Sequence, residues 1–249
     1  MTGQVLIDLG NSRWKVAKAS RGAIDEVRQG LYVETDAFSA ALLELADGAG
    51  AVLMASVVDH TRTDTLLSVA RDVTGLSVRR VFSTDRVPAV RSGYRDPGQL
   101  GVDRLLAMVA VRARCTGPFC VVDAGSAVTI DFVDADGQHL GGLILPGHGF
   151  ARECLLARTS IPRETAVEPG ARLGRDTATA IALGSLYAVA GIIERFVGGS
   201  DALFPRSGSA VFLGGGDAGL LEAVMPVPCE RVEHLVLSGL AVLAAEEAA

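Results

Sequence analysis

Short apolar runs that stop at an acid organise this chain. Val5-Leu6-Ile7 ends at Asp8, Gly10 and Asn11 turn the backbone, and a second run follows, so residues 5–9 and 13–19 read as a strand pair. Residues 28–33 read as a weaker third strand. Phe38, Ala41, Leu42 and Leu45 then recur at the spacing of a helix face, with Thr35 or Asp36 before them as a cap, and the helix ends near Gly48–Gly50. Residues 51–57 form a buried strand with Ser56 at its end, 61–73 a helix closed by Gly75, and 77–82 another strand. The first half is therefore predicted as β-β-β-α-β-α-β, followed by a loop punctuated by Gly93, Pro97 and Gly98 and a helix over 100–113.

The pattern restarts at Phe119. Cys120-Val121-Val122 ends at Asp123, Gly125 and Ser126 turn the chain, and Ala127 to Phe132 runs back as a strand. Asp136-Gly137 turns into a third strand that Pro146-Gly147 ends. A helix over 149–158, a loop with Pro162, Pro169 and Gly170, and a long helix over 177–197 capped by Asp176 follow. A strand at 210–213, the turn Gly214-Gly215-Gly216-Asp217 and a helix over 234–247 complete the chain. Asp8 and Asp123 lie 115 residues apart, close to half the length, which points to two related halves rather than a solenoid. The boundary falls near residues 114–118, giving domains over 1–115 and 116–249.

The two turns carry the chemistry. Asp8, Ser12 and Lys15 put a carboxylate, a hydroxyl and a cation around a tight turn, a set suited to a nucleotide phosphate with its metal ion. The same residues also suit a plain β-hairpin with a polar turn. The repeat at Asp123 tips the balance. Two half-chains that each offer an Asp-x-Gly hairpin to one cleft resemble the actin, sugar-kinase and Hsp70 superfamily of ATP-using folds. That resemblance implies an α/β protein of two ribonuclease-H-like (actin-like ATPase) domains with a cleft between them.

Composition narrows the picture further. Of 249 residues, 49% are hydrophobic and 21% charged, which is globular rather than disordered. The formal net charge of −6 and the lack of a basic stripe argue against nucleic acid as a partner. No signal peptide and no uninterrupted apolar run of membrane-spanning length is read, so the expectation is a cytoplasmic protein that does not enter a membrane. Cys115, Cys120, Cys154 and Cys229 form no CxxC pair and are expected as buried free thiols. The four histidines show no metal-site spacing. Lys15 and Lys18 are the only lysines, so one of the two falls in the candidate phosphate turn.

Four segments taken together resemble the bacterial type III pantothenate kinases: Asp8-Leu9-Gly10-Asn11-Ser12, Tyr94 through Leu100-Gly101-Val102-Asp103-Arg104, Asp123-Ala124-Gly125-Ser126-Ala127, and Gly141-Gly142-Leu143-Ile144-Leu145-Pro146-Gly147, with Asp176-Thr177 later. The Leu-Gly-x-Asp-Arg segment is the most specific of them. The resemblance implies ATP-dependent phosphorylation of pantothenate. Asp8, Leu9, Gly10, Asn11, Ser12, Arg13, Trp14 and Lys15 would then form the loop at the ATP phosphates, with Asp8 near Mg²⁺ and Ser126 also touching ATP. Tyr94, Gly101, Val102, Asp103, Arg104 and Thr177 would line the pantothenate pocket, with Asp103 the general base. Asp123 would hold a monovalent cation, K⁺ or NH₄⁺, and the protein would be a homodimer. Ser12 and Ser126 stand where threonine is more common, and both keep the hydroxyl. Two readings stand beside this one: a non-catalytic regulatory protein on the same scaffold, or another small-molecule kinase of the superfamily. Asp103 itself has a second reading, since an acid in a first helical turn is also what the helix dipole favours.

Overall fold

Period-two alternation in the first strand sets the layers of the amino-terminal unit. In β1 (Gly3–Leu9), Val5, Ile7 and Leu9 face one side, and Leu6 and Asp8 face the other. β2 (Trp14–Ser20) and β3 (Ala23–Gly30) continue antiparallel, and β4 (Ala49–Ser56) and β5 (Val78–Arg80) add in parallel, giving the order β3-β2-β1-β4-β5. On the Val5 face, α1 (Thr35–Leu45) and α2 (His60–Thr74) bury Phe38, Leu42, Leu45 and Ala70 against Val5, Ile7, Val16 and Met54. On the Leu6 face, α3 (Val102–Arg112) and the carboxy-terminal helix bury Val102, Leu106, Leu237 and Leu240 against Leu6, Ala17, Leu53 and Ala55. The computed structural model describes residues 3–160, 170–204 and 210–247.

The second unit repeats the sheet. β6 (Phe119–Ala124) pairs antiparallel with β7 (Ala127–Val133) and parallel with the strand Ala210–Gly214, in a sheet whose other edge is β8 (His139–Pro146). After β8 come α4 (His148–Arg158) and α5 (Thr177–Phe196); then β9 (Ala210–Gly214), α6 (Ala218–Glu222) and β10 (Glu230–Arg231) follow, and α7 (Leu235–Glu247) closes the chain. Read from its other edge, the order β8-β7-β6-β9-β10 is the first sheet's β3-β2-β1-β4-β5 with each strand replaced by its counterpart, so β6 stands for β1. Asp8 and Asp123 are each the last residue but one of their strand. The expected duplication is thus present in topology as well as in motif.

Several boundaries differ from the sequence reading. The two compact units are residues 1–116 with 137–139 and 234–249, and residues 117–136 with 140–233. The closing helix α7, placed in the second half from sequence, therefore belongs to the first unit, where it packs on α3 and β1. Its apolar residues run nearly all round, so periodicity could not show which sheet it covers. β3 lies at 23–30 rather than 28–33, because its polar residues Asp25, Glu26 and Arg28, with a register shift at Asp25, hide the alternation. The residue at the N-cap of α1 is Glu34, not Thr35 or Asp36, and it makes no side-chain capping bond. Ser56, at the end of β4, is buried, and its Oγ shares a 2.7 Å hydrogen bond with Thr63 Oγ1. The cysteines are free thiols, yet Cys154 on α4 is exposed and only Cys120 is fully buried. The loop expected around Pro162 and Pro169 lies outside the described residues.

α5 is apolar and long enough to cross a membrane by length and composition. In the structure Ala182, Leu186, Val189 and Ile193 bury one face against the unit-two core, while Ala180, Gly184, Tyr187, Ala188 and Gly191 remain exposed.

Candidate active site

Strand parity decides what meets Asp8. Its neighbours across the sheet are Lys15 on β2 and Ala55 on β4, and all three share the Leu6 face that α3 and α7 cover. The Asp8 side chain is only 8% exposed, and Lys15 Nζ lies 3.7 Å from Asp8 Oδ2. Beyond this pair the chain turns through Gly10, Asn11, Ser12 and Arg13, closed by the Gly10 N–H donating to the Arg13 carbonyl at 3.1 Å. Asn11, Ser12 and Arg13 are exposed, while Leu9 and Trp14 are buried in the core beneath. The loop therefore offers backbone and hydroxyl donors on a rigid base, next to a carboxylate and an ammonium.

α3 brings the second set to the same unit. Gly101 is its N-cap and Asp103 lies in its first turn, with Asp103 Oδ1 accepting the Arg104 N–H at 2.8 Å. A Cβ at residue 101 would overlap the Asp103 carboxylate, so only glycine lets this carboxyl sit against the helix entrance. Arg104 is 4% exposed, and its Nη1 donates to the Tyr94 hydroxyl at 2.6 Å. Val102 is part of the core and anchors the helix start. Tyr94 in turn stacks on His139, ring centroids 5.9 Å apart at 16°, and the Gly93 N–H points at His139 Nδ1 from 3.4 Å. Tyr94, Gly101, Asp103 and Arg104 thus come together as expected. His139 was missed: a single histidine just after a turn carries no spacing signal, and only the fold shows it to be buried behind Tyr94.

The remaining candidates lie in the second unit. Asp123 is half-buried on β6, opposite Thr129 and Gly214. Its turn is held from two sides, by the Gly147 N–H donating to the Ser126 carbonyl at 3.0 Å and by the Asp217 N–H donating to the Ala124 carbonyl at 3.0 Å. A Cβ at Gly147 or at Gly215 would overlap the backbone of this turn, so both glycines serve close approach. The Gly-rich run after β9 therefore packs against the Asp123 hairpin. Ser126 is exposed at the tip. Thr177 is exposed at the start of α5, which is fixed by Asp176: its carboxylate accepts the Thr179 N–H at 2.8 Å and the Thr179 hydroxyl at 2.7 Å. Those two bonds hold the Asp176 carboxyl below its ordinary pKa.

Metal chemistry at these residues rests on single carboxylates. Among the described residues no group of three or more His, Cys, Asp or Glu side chains is placed to hold a metal ion. A hard divalent cation that arrives with phosphate oxygens needs only one or two protein carboxylates, and Asp8 fits that demand.

Comparison with known proteins places the chain as a whole. A family model described as type III pantothenate kinase matches residues 4–198. The type III pantothenate kinase of Azoarcus sp. (strain BH72) is 37% identical, covering 98% of this chain and 92% of its own length. That of Ectopseudomonas mendocina (strain ymp) is 35% identical, covering 95% and 96%. Among solved structures, a conserved Baf family protein from Campylobacter jejuni superposes with a TM-score of 0.63 at 20% identity, over 98% of this chain and 100% of that one. The activator of the 2-hydroxyisocaproyl-CoA dehydratase from Clostridium difficile, solved with bound ADPNP, superposes with a TM-score of 0.50 at 12% identity, over 99% and 96%. Likeness at these identities shows the fold, and the fold is the actin-like ATPase fold.

Proposed function

The chain belongs to the type III pantothenate kinase family, and from that premise we propose how its residues divide the work of phosphorylating pantothenate with ATP, the first step of coenzyme A biosynthesis. The observation that carries the assignment is the shared face in the first unit: Asp8 and Lys15 point to the side of the sheet covered by α3, the helix that bears Asp103 and Arg104. Phosphoryl transfer asks a protein for positioning and charge neutralisation more than for covalent work. The turn from Asp8 to Lys15 receives the ATP phosphates, with donors from its backbone, Ser12 and Lys15. Asp8 is the residue beside Mg²⁺, which when bound neutralises the phosphate oxygens.

Asp103 orients the primary hydroxyl of pantothenate and takes its proton as the O–P bond forms and ADP leaves. Its carboxyl is fixed by the Arg104 N–H and by the space Gly101 leaves open. Arg104, held by Tyr94, offers guanidinium donors to the pantothenate carboxylate, and Tyr94 and Val102 stand beside it. Asp123 and the carbonyl oxygens of its turn suit a monovalent cation, K⁺ or NH₄⁺. The enzyme works in the cytoplasm as a homodimer that joins through the exposed face of α5. The test is ADP release in a coupled assay, with pantothenate, Mg²⁺ or K⁺ omitted in turn. Release should require pantothenate and Mg²⁺ and rise with K⁺. Release with glycerol or hexoses but not with pantothenate would overturn the reading.

A further inference from the structure

Tyr32 lies just past β3, and its side chain reaches under the phosphate turn. Its hydroxyl donates to the Gly10 carbonyl at 2.7 Å and lies 3.3 Å from the Arg13 carbonyl, the two ends of the turn. A trans peptide is planar, with the carbonyl and the following N–H on opposite sides. Holding the Gly10 carbonyl on Tyr32 therefore aims the Asn11 N–H away from Tyr32, toward the exposed side of the turn. The segment that carries Tyr32 is itself clipped in place. Trp14 Nε1 donates to the Leu31 carbonyl at 3.2 Å, and the Leu31 N–H donates to Glu34 Oε2 at 3.1 Å. A Cβ at Gly30 would overlap the Trp14 indole, so this approach requires glycine. On the other side, the Arg62 guanidinium sits 4.8 Å from the centre of the Tyr32 ring. Burial first, and the charge of Asp8 second, push the Tyr32 hydroxyl far above its ordinary pKa, so it remains a donor.

The geometry points to Tyr32 as a positioning residue for ATP, whose hydroxyl presets the turn at residues 10–13 so that its backbone donors face the triphosphate before the nucleotide arrives. A turn already ordered does not spend binding energy on becoming ordered. The inference rests on the reading of this turn as the phosphate site, and the experiment separates the two. In the full-length enzyme, Tyr32→Phe keeps the ring and removes the hydroxyl. The KM for ATP should rise about five- to tenfold, the effect of one lost hydrogen bond. The KM for pantothenate, kcat at saturating ATP and the melting temperature should stay near those of the parent. Ser12→Ala is measured alongside. If Ser12→Ala raises the KM for ATP while Tyr32→Phe leaves it within twofold, the positioning role is wrong and the turn assignment stands. If neither changes it, the turn assignment falls and this inference with it. Equal rises in both KM values for Tyr32→Phe would mean general damage and would overturn the role as well.

Discussion

Asp8 and Lys15 are direct cross-strand partners, with Lys15 Nζ 3.7 Å from Asp8 Oδ2 and the lysine the more exposed of the two. In the resting site the ammonium offsets a carboxylate that is nearly buried. On the proposed reading, an arriving polyphosphate would compete for that ammonium, and Asp8 would be left to hold Mg²⁺. Lys15→Met should therefore raise the KM for MgATP by about tenfold, in the range of one charge-assisted contact, and leave the KM for pantothenate unchanged. Steady-state kinetics with each substrate varied in turn check this, and an unchanged KM for MgATP would remove Lys15 from the phosphate site.

Much of this site was legible in the chain because its signals are local. Asp8-Leu9-Gly10 and Asp123-Ala124-Gly125 each end a strand and open a turn, and an apolar run that stops at an acid before a glycine predicts such turns. What escaped the sequence depends on long-range packing. His139 is 45 residues from Tyr94, and nothing near it in sequence marks it as the ring behind that tyrosine. Tyr32 was read as a strand residue because the polar face of β3 shifted the apparent strand toward Val33. α7 has too little amphipathic contrast to declare which sheet it covers.

Asp103 separates catalysis from capping. The N-cap of α3 is Gly101, and Asp103 Oδ1 accepts the N–H of the adjacent Arg104. Asparagine retains an oxygen acceptor for that bond but takes no proton at neutral pH. Asp103→Asn should lose about 10²–10⁴-fold in kcat, the usual worth of general base catalysis, while melting temperature and ATP binding persist. Turnover within threefold of the parent would make Asp103 a helix-end residue and nothing more.

Asp123 tests the monovalent cation. It stands half-buried at the end of β6, beside a turn whose carbonyls are fixed by Gly147 and Asp217. Replacing Na⁺ by K⁺ or NH₄⁺ should raise the rate of the parent enzyme, and Asp123→Ala should flatten that response. Equal rates for the parent in all three salts would rule out a cation site.

Asp176 gives a stability signature in acid. Its folded pKa is lowered by the Thr179 N–H and hydroxyl, so its carboxylate favours the folded state above the unfolded pKa, and that contribution disappears as pH falls through the lower folded value. Asp176→Ala should melt about 2–4 °C below the parent at pH 7. The gap should narrow as the pH is taken below 3.8, the ordinary value for this carboxyl. A gap that does not change with pH would assign the effect to packing rather than to the charged cap.

The homodimer is tested by two glycines that the chain does not itself require. Gly184 and Gly191 lie on the exposed side of α5, and a Cβ built at either meets, among the described residues, no atom within 4 Å outside the local helix backbone. Neither has a positive φ, and glycine within a helix is less favourable than alanine by about 1 kcal/mol. The described neighbours of α5 therefore give no reason for them, whereas close approach of a second helix does. Ala180 and Ala188 extend the same low surface, with the Tyr187 ring 40% exposed beside it. Gly184→Ala should raise the melting temperature if this face is solvent, and lower it or loosen the assembly if a second copy packs there. Gly191→Arg should yield monomers by light scattering at micromolar concentration while the circular dichroism of the helices is kept. A parent that is already monomeric under those conditions, or a Gly191→Arg variant that stays dimeric, would move the interface away from α5.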